Sequence, residues 1–434
     1  MSGSVGNNPY RASGVVASLA AAREGTVDWD TSIHTGTVTA ASGSGYFVNT
    51  TSGGITVNLP AAAVGSIVAV SDYASTAASN NITVAPNGSD KINGVNDSFK
   101  ISTAGLAVTL VYADATRGWK SVTGSDADAT GVTAAFVAAT GGDTTITSGD
   151  YKIHVFTGDG ALCVSAVGNC AGSKTVDYLI VAGGAGGGKG SGSAGGGAGG
   201  YRYSYPNPAT GGTAVSVQPY TITVGGGGAG STSNPSKGTS GGASSGFCIS
   251  SAGGGGGGSG VEAGGADEGG DGGSGGGGAF TPGNSGGTGN TPSVTPPQGY
   301  PGGEGGTPGY AGGGGGGATV AGSDHDTCNG KGGDGGPIAD AFFGPTAPSY
   351  GTPGPASSTR YFAGGGGGGR QPASPPPGGA GGAGGGGAGE FGPPDSPGVS
   401  GTAATGGGGG GSGGPSGNGG TGGDGVVAIR YKFQ

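Results

Sequence analysis

Charged side chains are scarce in this sequence. Asp, Glu, Lys and Arg make up 9% of its 434 residues, where roughly 25% is usual for a soluble domain. The 16 basic residues are outnumbered by 25 acidic ones, which gives a net charge of −9. Because nucleic-acid binding needs Lys and Arg clustered against the phosphates, we expect no nucleic-acid partner.

Long apolar runs are missing as well. No stretch approaches the roughly 20 apolar residues that span a bilayer. The first ten residues, MSGSVGNNPY, contain neither the basic nor the apolar region of a signal peptide. We therefore expect neither a membrane span nor a secretion signal.

Cysteine is too sparse for a fold held together by disulfides, since the chain contains four. Cys163 and Cys170 are close enough in sequence to bridge a local hairpin, and they are equally compatible with two buried thiols. The sequence leaves both interpretations open.

Glycine is in large excess, with 120 residues against a usual share of about 7%. Most of it follows Gly183, whereas Val, Ile, Leu and Ala concentrate in front of it, where a conventional core is possible. The composition therefore predicts four segments: an N-terminal lead segment 1–35, a β module 36–125, a linker 126–149 and a glycine-rich domain 150–434.

Short alternating segments separated by turn residues predict the β module. Ile55–Leu59 alternates apolar and polar side chains, and Asn93-Gly94 is a turn signal. Strands spaced by about 8–12 residues are typical of a β sandwich or barrel. Arg117-Gly118-Trp119 is expected to close the last hairpin, with Trp119 in a core or a subunit interface. Gly14–Arg23 alone has helical character, which suits an anchor or a frayed terminus.

Strand candidates also bracket the glycine-rich region. Val176–Ala182 precedes it and Gly425–Phe433 ends it, so we expect the terminal strand to pair with the earlier ones. His154 alternates with apolar neighbours on the candidate Tyr151–Phe156, and it is expected to face solvent or a subunit boundary. The remaining candidates are Leu162–Val167, Val215–Val224 and Gly246–Ser250.

Runs of six glycines recur along the domain, at Gly253–Gly258, Gly312–Gly317, Gly364–Gly369 and Gly406–Gly411. Glycine-rich segments often form flexible linkers. Alternatively they adopt polyproline-II-like helices, which have three residues per turn and pack at backbone distance when side chains are absent. A disordered tail of this length is normally polar or charged, and this one is neither. We therefore predict an all-β chain with an ordered polyglycine-II array.

Glycine-rich motifs that resemble ligand sites lack the residues that carry the chemistry. Gly183–Lys189 matches a phosphate-binding loop, but Gly190 stands where Ser or Thr should hold Mg²⁺. Gly419–Val427 fits a calcium-binding nonapeptide that normally occurs in tandem copies. Ser323–Cys328 groups metal-capable side chains, although a polar loop explains it more simply. With no nucleophile–base or acid–base set found, we predict no catalytic, cofactor or metal-binding residues.

The segments VDYLIVAGGAGGG, PYTITVGGGGAG and GGDGVVAIRY, within about residues 150–434, resemble the glycine-rich domain of phage tail fibres and adhesins. The front module, with GYFVNTTSGGITVNLPAAAVG and LAVTLVYADATRGW, is similar to a β module of marine-phage and cyanophage virion proteins. The resemblance implies polyglycine-II helices packed in layers, with variable loops that contact the host surface.

The same resemblance implies a non-enzymatic protein exposed on the phage particle, most simply a homotrimeric tail fibre or adhesin. Its N-terminal segment would bind other tail or capsid proteins, and its glycine-rich domain a host receptor, either lipopolysaccharide or an outer-membrane protein. Alternatives are a capsid-attached decoration or head fibre, an ice- or surface-binding protein, and a depolymerase, which the lack of an acidic pair disfavours. Host contact would fall on Tyr300, Tyr310, Phe342, Phe343, Tyr361 and Phe362. The residues alone leave open that these rings instead seal the glycine layers.

Overall fold

The computed structural model describes residues 27–122, 134–169, 172–205, 212–234, 236–260, 267–280, 284–307, 310–326, 330–371, 377–391 and 396–434. The chain divides into two compact units, residues 1–134 and 135–434. The predicted helix Gly14–Arg23 and the cysteine Cys170 lie outside the described residues, whereas Cys163 is an exposed free thiol. In the described ranges the helices are two 3-10 turns, Asp340–Phe342 and Gly344–Ser349, and no helix is long and apolar enough to cross a membrane.

The first unit is a β structure of two sheets. Its strands in the described part are β1 (Asp28–His34), β2 (Val38–Thr39), β3 (Ser44–Val48), β4 (Ile55–Asn58), β5 (Ile67–Asp72), β6 (Ile82–Ala85), β7 (Phe99–Ile101), β8 (Ala107–Asp114) and β9 (Gly118–Ser121). The sheets have the orders β1-β3-β5-β8-β9 and β2-β4-β6-β7. In β4, Ile55 and Val57 are buried while Thr56 and Asn58 are half-buried, as the period of two in a strand requires.

The chain winds between these two sheets instead of folding back in successive hairpins. Strands β1, β3 and β5 pair in parallel in one sheet, and β2, β4 and β6 do so in the other. Parallel neighbours need a crossover, and each crossover here passes through the opposite sheet, as in a β solenoid. Strands β7, β8 and β9 then add antiparallel pairs, with β8–β9 as the predicted last hairpin. Strand β1 extends the sheet into segment 1–35, which the composition assigned to a lead segment.

One apolar core lies between the sheets of the first unit. Trp119 is fully buried and packs edge-on against Tyr112, with ring centroids 5.7 Å apart, so its predicted core role is confirmed. The buried carboxylate of Asp72 accepts hydrogen bonds from the backbone N–H groups of Ala77 and Gly105, both at 3.0 Å. These bonds satisfy turn amides that have been removed from water.

The second unit contains a larger set of strands around one central sheet. In the described residues they are β10 (Ala138–Thr140), β11 (Thr144–Ser148), β12 (Tyr151–Phe156), β13 (Gly160–Ala166), β14 (Thr175–Val181), β15 (Tyr201–Tyr203), β16 (Thr213–Ala214), β17 (Pro219–Ile222), β18 (Ser244–Gly246), β19 (Ile249–Ser251), β20 (Gly336–Ala339), β21 (Thr352–Pro353), β22 (Thr359–Phe362) and β23 (Val426–Lys432). The central sheet has the order β11-β12-β23-β14-β15, and β16 also pairs with β14. Smaller sheets are β10-β13-β17, β18-β19 and β20-β22-β21. Strands β10 and β11 occupy part of segment 126–149, which we predicted to be a linker.

The terminal strand β23 lies in the middle of the central sheet. It pairs antiparallel with β12 on one side and with β14 on the other, which confirms the predicted pairing. Val426 and Ala428 pack into the core on one face of the sheet, and Val427 and Ile429 pack into the core on the other. Because both faces are covered, the strand is apolar at successive positions and not only at alternate ones.

Two other predicted strands differ from the structure. Val215–Val224 contributes only β17, and Gly246–Ser250 spans the two-residue turn of the β18–β19 hairpin together with the adjoining strand ends. Phe247 and Cys248 form this turn with φ of 54° and 62°, the positive values at both central positions that a type I′ turn needs. Because this turn contains apolar residues, the composition of the segment alone predicts a strand.

The glycine-rich segments form hydrogen-bonded helices with a period of three. In Gly183–Gly188, each backbone N–H donates to the same neighbouring segment as the N–H three residues later, at N···O distances of 2.9 or 3.0 Å. A helix with three residues per turn directs every third residue the same way, so one helix reaches three acceptor segments. The pairs, donor first, are Gly183–Gly242, Gly186–Thr239, Gly184–Gly423, Gly187–Gly420, Ala185–Gly197 and Gly188–Ala194.

The carbonyl groups of the same helix accept from three further segments, so the helix has six neighbours. The donors are Gly254 and Gly257 in one segment, Gly228 and Ser231 in the second, and Gly409 and Ser412 in the third. The predicted polyglycine-II array is thereby confirmed.

Backbone packing at this distance leaves no room for side chains at most positions. A Cβ built on Gly196 would meet the carbonyl oxygen of Ala185, and one on Gly366 would meet the carbonyl oxygen of Gly409, both far inside van der Waals contact. Neighbouring helices are therefore so close together that only glycine fits at these positions.

Candidate functional site

The glycine array of the second unit has two ends. The helix that starts after Val181 of β14 turns at Gly190–Gly192 and returns to Tyr201 of β15. Other helices likewise leave from Ser251 of β19 or Phe362 of β22 and return through later segments. We call the end at the strands the sheet end and the opposite end, where the chain reverses, the turn end.

Four of the six aromatic residues predicted to contact a host are buried at the sheet end. Phe342, Phe343 and Phe362 have no exposed surface, and Tyr361 is 8% exposed. The Phe343 ring packs 5.0 Å from Phe342 and stacks 4.6 Å from Tyr350, measured between centroids. Phe342, Phe343 and Phe362 belong to the apolar core between the central sheet and β22, and Tyr361 is buried on β22 beside them, so the folded chain does not expose these four rings for contact.

Tyr300 also lies at the sheet end, but its side chain is 41% exposed. It ends a proline-rich loop, residues 290–300, that two amide side chains hold in place. Asn290 Oδ1 accepts hydrogen bonds from the N–H groups of Val294 and Gln298, at 3.1 and 3.2 Å. The Gln298 side chain donates to the Pro292 carbonyl at 2.8 Å, and it accepts from the Ala252 N–H at 2.8 Å. Only the folded chain shows these roles, since neither residue belongs to a sequence motif.

Tyr310 is the one predicted contact residue that lies at the turn end. It is 47% exposed and packs on the buried Phe280, with ring centroids 5.5 Å apart. Its backbone carbonyl accepts from the N–H of Gln371, while Phe280 N–H donates to the carbonyl of Gly192, both at 3.1 Å. These bonds join turns that are far apart in sequence, and the Tyr310 side chain is exposed beside them.

The glycine motifs that resemble ligand sites are part of the array. The N–H groups of Gly183–Gly188 are donated to neighbouring helices, which leaves them unable to cradle a phosphate. Lys189 Nζ donates to Asn418 Oδ1 at 2.9 Å, and carbonyls within Gly419–Val427 accept array hydrogen bonds. Ser323–Cys328 is described only as far as Asp326, and no group of three metal-capable side chains occurs among the residues with known positions.

His154 is buried, contrary to the prediction that it faces solvent or a subunit boundary. Its Nδ1 lies 2.6 Å from the Gly141 carbonyl oxygen and its Nε2 lies 3.0 Å from the Tyr431 hydroxyl. Because a carbonyl oxygen only accepts, Nδ1 donates to Gly141, while the Tyr431 hydroxyl lies within hydrogen-bond distance of both Nε2 and the Ala139 carbonyl, at 3.0 and 3.2 Å. Burial lowers the pKa of the imidazole, with a smaller lowering from the charge of Lys152, although the Gly141 bond acts in the opposite direction. The alternation with Ile153 and Val155 led to the wrong prediction, because both faces of the central sheet are covered and residues on either face are buried.

A family model described as a glycine-rich domain matches residues 157–432. The match starts directly after β12 and ends with β23, so it covers the array together with most of the strands that bracket it. No curated protein matches the chain. Since the family model spans more than half of the sequence, the protein belongs to the glycine-rich domain family.

Proposed function

We propose that the protein is a non-enzymatic structural protein of a phage virion, a tail fibre or adhesin that contacts the host through the turn end of its glycine array. The observation that carries this proposal is the separation between scaffold and turns. The described helices are held by backbone hydrogen bonds to their neighbours, whereas the turn end carries larger side chains such as Tyr310, which is 47% exposed. A rigid scaffold that displays variable loops is a common design for recognition.

The proposal assigns the remaining parts by the resemblance to phage fibres. The N-terminal segment attaches the chain to other tail or capsid proteins, and the displayed form is a homotrimer on the exposed surface of the particle. The receptor is lipopolysaccharide or an outer-membrane protein of the host. A capsid-attached decoration or head fibre is the alternative placement.

Labelling of intact particles with an antibody against the purified chain distinguishes these placements. Label on the tail supports the fibre, label on the capsid supports the alternative, and particles without label contradict both. A host polysaccharide that is shortened by the purified chain would contradict the non-enzymatic assignment.

Host contact at the turn end is tested by competition. The purified chain should block phage adsorption, and Tyr310→Ala should weaken the block by about tenfold or more, since exposed tyrosines are frequent hot spots in interfaces. Tyr73→Ala is the matched control, because Tyr73 is 55% exposed in the first unit. If both variants block as well as the unchanged chain, the turn-end proposal fails.

A further inference from the structure

A groove of about 230 Å³ follows the outer edge of strand β15 at the sheet end. Tyr203 and Arg202 line it although they lie on opposite faces of the strand, so the groove wraps around the strand's edge. Pro297 and Tyr300 of the proline-rich loop form the other wall, and Thr319 lies at the end of an array helix. Sites for drug-sized ligands enclose about 300–1,000 Å³, so this groove suits a single ring.

Both walls of the groove are held in place before any ligand arrives. Gln298 joins the proline-rich loop to β15, because its carbonyl accepts from the Tyr201 N–H at 2.9 Å. The buried Tyr201 side chain donates its hydroxyl to the Pro337 carbonyl at 3.0 Å. Walls that are already ordered lower the conformational cost of binding.

The groove combines exposed ring surface with one cation. Tyr203 and Tyr300 are 45% and 41% exposed, unlike the buried aromatic core beside them. The Arg202 guanidinium has no hydrogen bond or ion pair to any residue whose position is described. The chain has a net charge of −9, yet Arg202 has no acidic partner among the described residues. A cation in this position, beside exposed aromatic rings, is complementary to a ligand that has one anionic group and an apolar face.

We propose that this groove binds an acidic sugar, a pyranose that bears a carboxylate. The apolar face of the ring lies on Tyr203 and Tyr300, and the carboxylate accepts two parallel hydrogen bonds from Arg202. The Tyr203 and Tyr300 hydroxyls bind sugar hydroxyls, and Thr319 Oγ1, which donates to the Gly335 carbonyl at 2.8 Å, accepts from one. The proposal depends on the groove alone. Its failure would leave the fibre proposal intact, since that proposal concerns the turn end.

Two ligands that differ only in the charged group test the proposal directly. Methyl β-glucuronide and methyl β-glucoside share the ring, and the first has a carboxylate where the second has a hydroxymethyl group. Saturation-transfer NMR and calorimetry on the full chain should show the glucuronide binding about tenfold more tightly, as expected for a charge-assisted contact. Arg202→Gln should remove this preference, and Tyr203→Ala should weaken the binding of both sugars.

Tyr73→Ala is the control variant, because Tyr73 is exposed on the first unit, which contributes no residue to the lining of the groove, and should change neither affinity. Unchanged melting temperatures establish that the variants are folded. The proposal is overturned by absence of binding to either sugar, by equal affinity for the two, or by a preference that survives Arg202→Gln. Binding of a proline-rich peptide in place of the glucuronide also overturns it, since such peptides dock in aromatic-lined grooves without a carboxylate.

Discussion

A methyl group added inside the glycine array should destabilise the second unit. Gly196 is buried, donates its N–H to the Gly409 carbonyl at 2.8 Å and accepts from the Gly366 N–H at 2.9 Å. In Gly196→Ala the new Cβ would meet the backbone carbonyl of Ala185. A backbone oxygen cannot rotate away as a side chain can, so the helices must separate locally.

The size of the effect follows from two opposing terms. Overpacking of a tight interior costs about 1–3 kcal/mol, and the rigid neighbours place this site near the upper value. Replacing Gly by Ala restricts the unfolded chain and returns about 0.4–1 kcal/mol. The net loss is about 2 kcal/mol, which lowers the melting temperature by roughly 4–8 °C at about 2–4 °C per kcal/mol. Scanning calorimetry of the full chain measures this shift.

Gly226→Ala is the matched control, because Gly226 also belongs to the array and its carbonyl accepts from the Gly242 N–H at 2.8 Å. A Cβ at Gly226 would have only Asp424 Oδ1 nearby, at 3.8 Å. This variant should therefore be unchanged or slightly more stable. Equal shifts in the two variants would refute the explanation by backbone packing.

Two further predictions concern buried polar groups. Burial lowers the pKa of His154 in the folded chain, so the imidazole of the unfolded chain takes up a proton first as the pH falls. The second unit should therefore lose stability below about pH 6.5. In melting curves His154→Gln should flatten this pH dependence, and an unaltered slope would contradict the assignment. Asp72→Ala leaves backbone N–H groups of two turns without acceptors and should destabilise the first unit by about 2 kcal/mol. Urea titrations followed by the fluorescence of Trp29 and Trp119 measure this loss. The control Asp97→Ala, at an exposed site, should change the stability little.

The order of the glycine-rich region was predictable because its evidence lies along the chain. Runs of six glycines and a terminal apolar strand, Gly425–Phe433, are visible without any knowledge of contacts. The period of three follows from the backbone conformation that glycine favours in close packing. The β character of the first unit was predictable for the same reason, since alternation in Ile55–Leu59 is local.

The candidate sites depended on contacts between remote residues. Phe343 and Tyr310 both stand in loops between glycine runs, yet one is buried at the sheet end and the other is exposed at the turn end. The direction in which a glycine helix runs decides whether the loop after it lies at the sheet end or at the turn end. That direction cannot be read from any single residue. Asn290 and Gln298 were missed because their bonds exist only after the proline-rich loop has folded onto β15.

The sequence by itself determined that the chain is all-β with an ordered glycine array closed by its last strand, because propensity, alternation and missing side chains act locally. The tertiary structure alone decided which aromatic rings face solvent, where Arg202 meets Tyr203 and Tyr300, and that the first unit winds in parallel. The physical reason is that a helix with three residues per turn satisfies its hydrogen bonds with six neighbours drawn from distant parts of the chain. Exposure is therefore set by the arrangement of all the helices together.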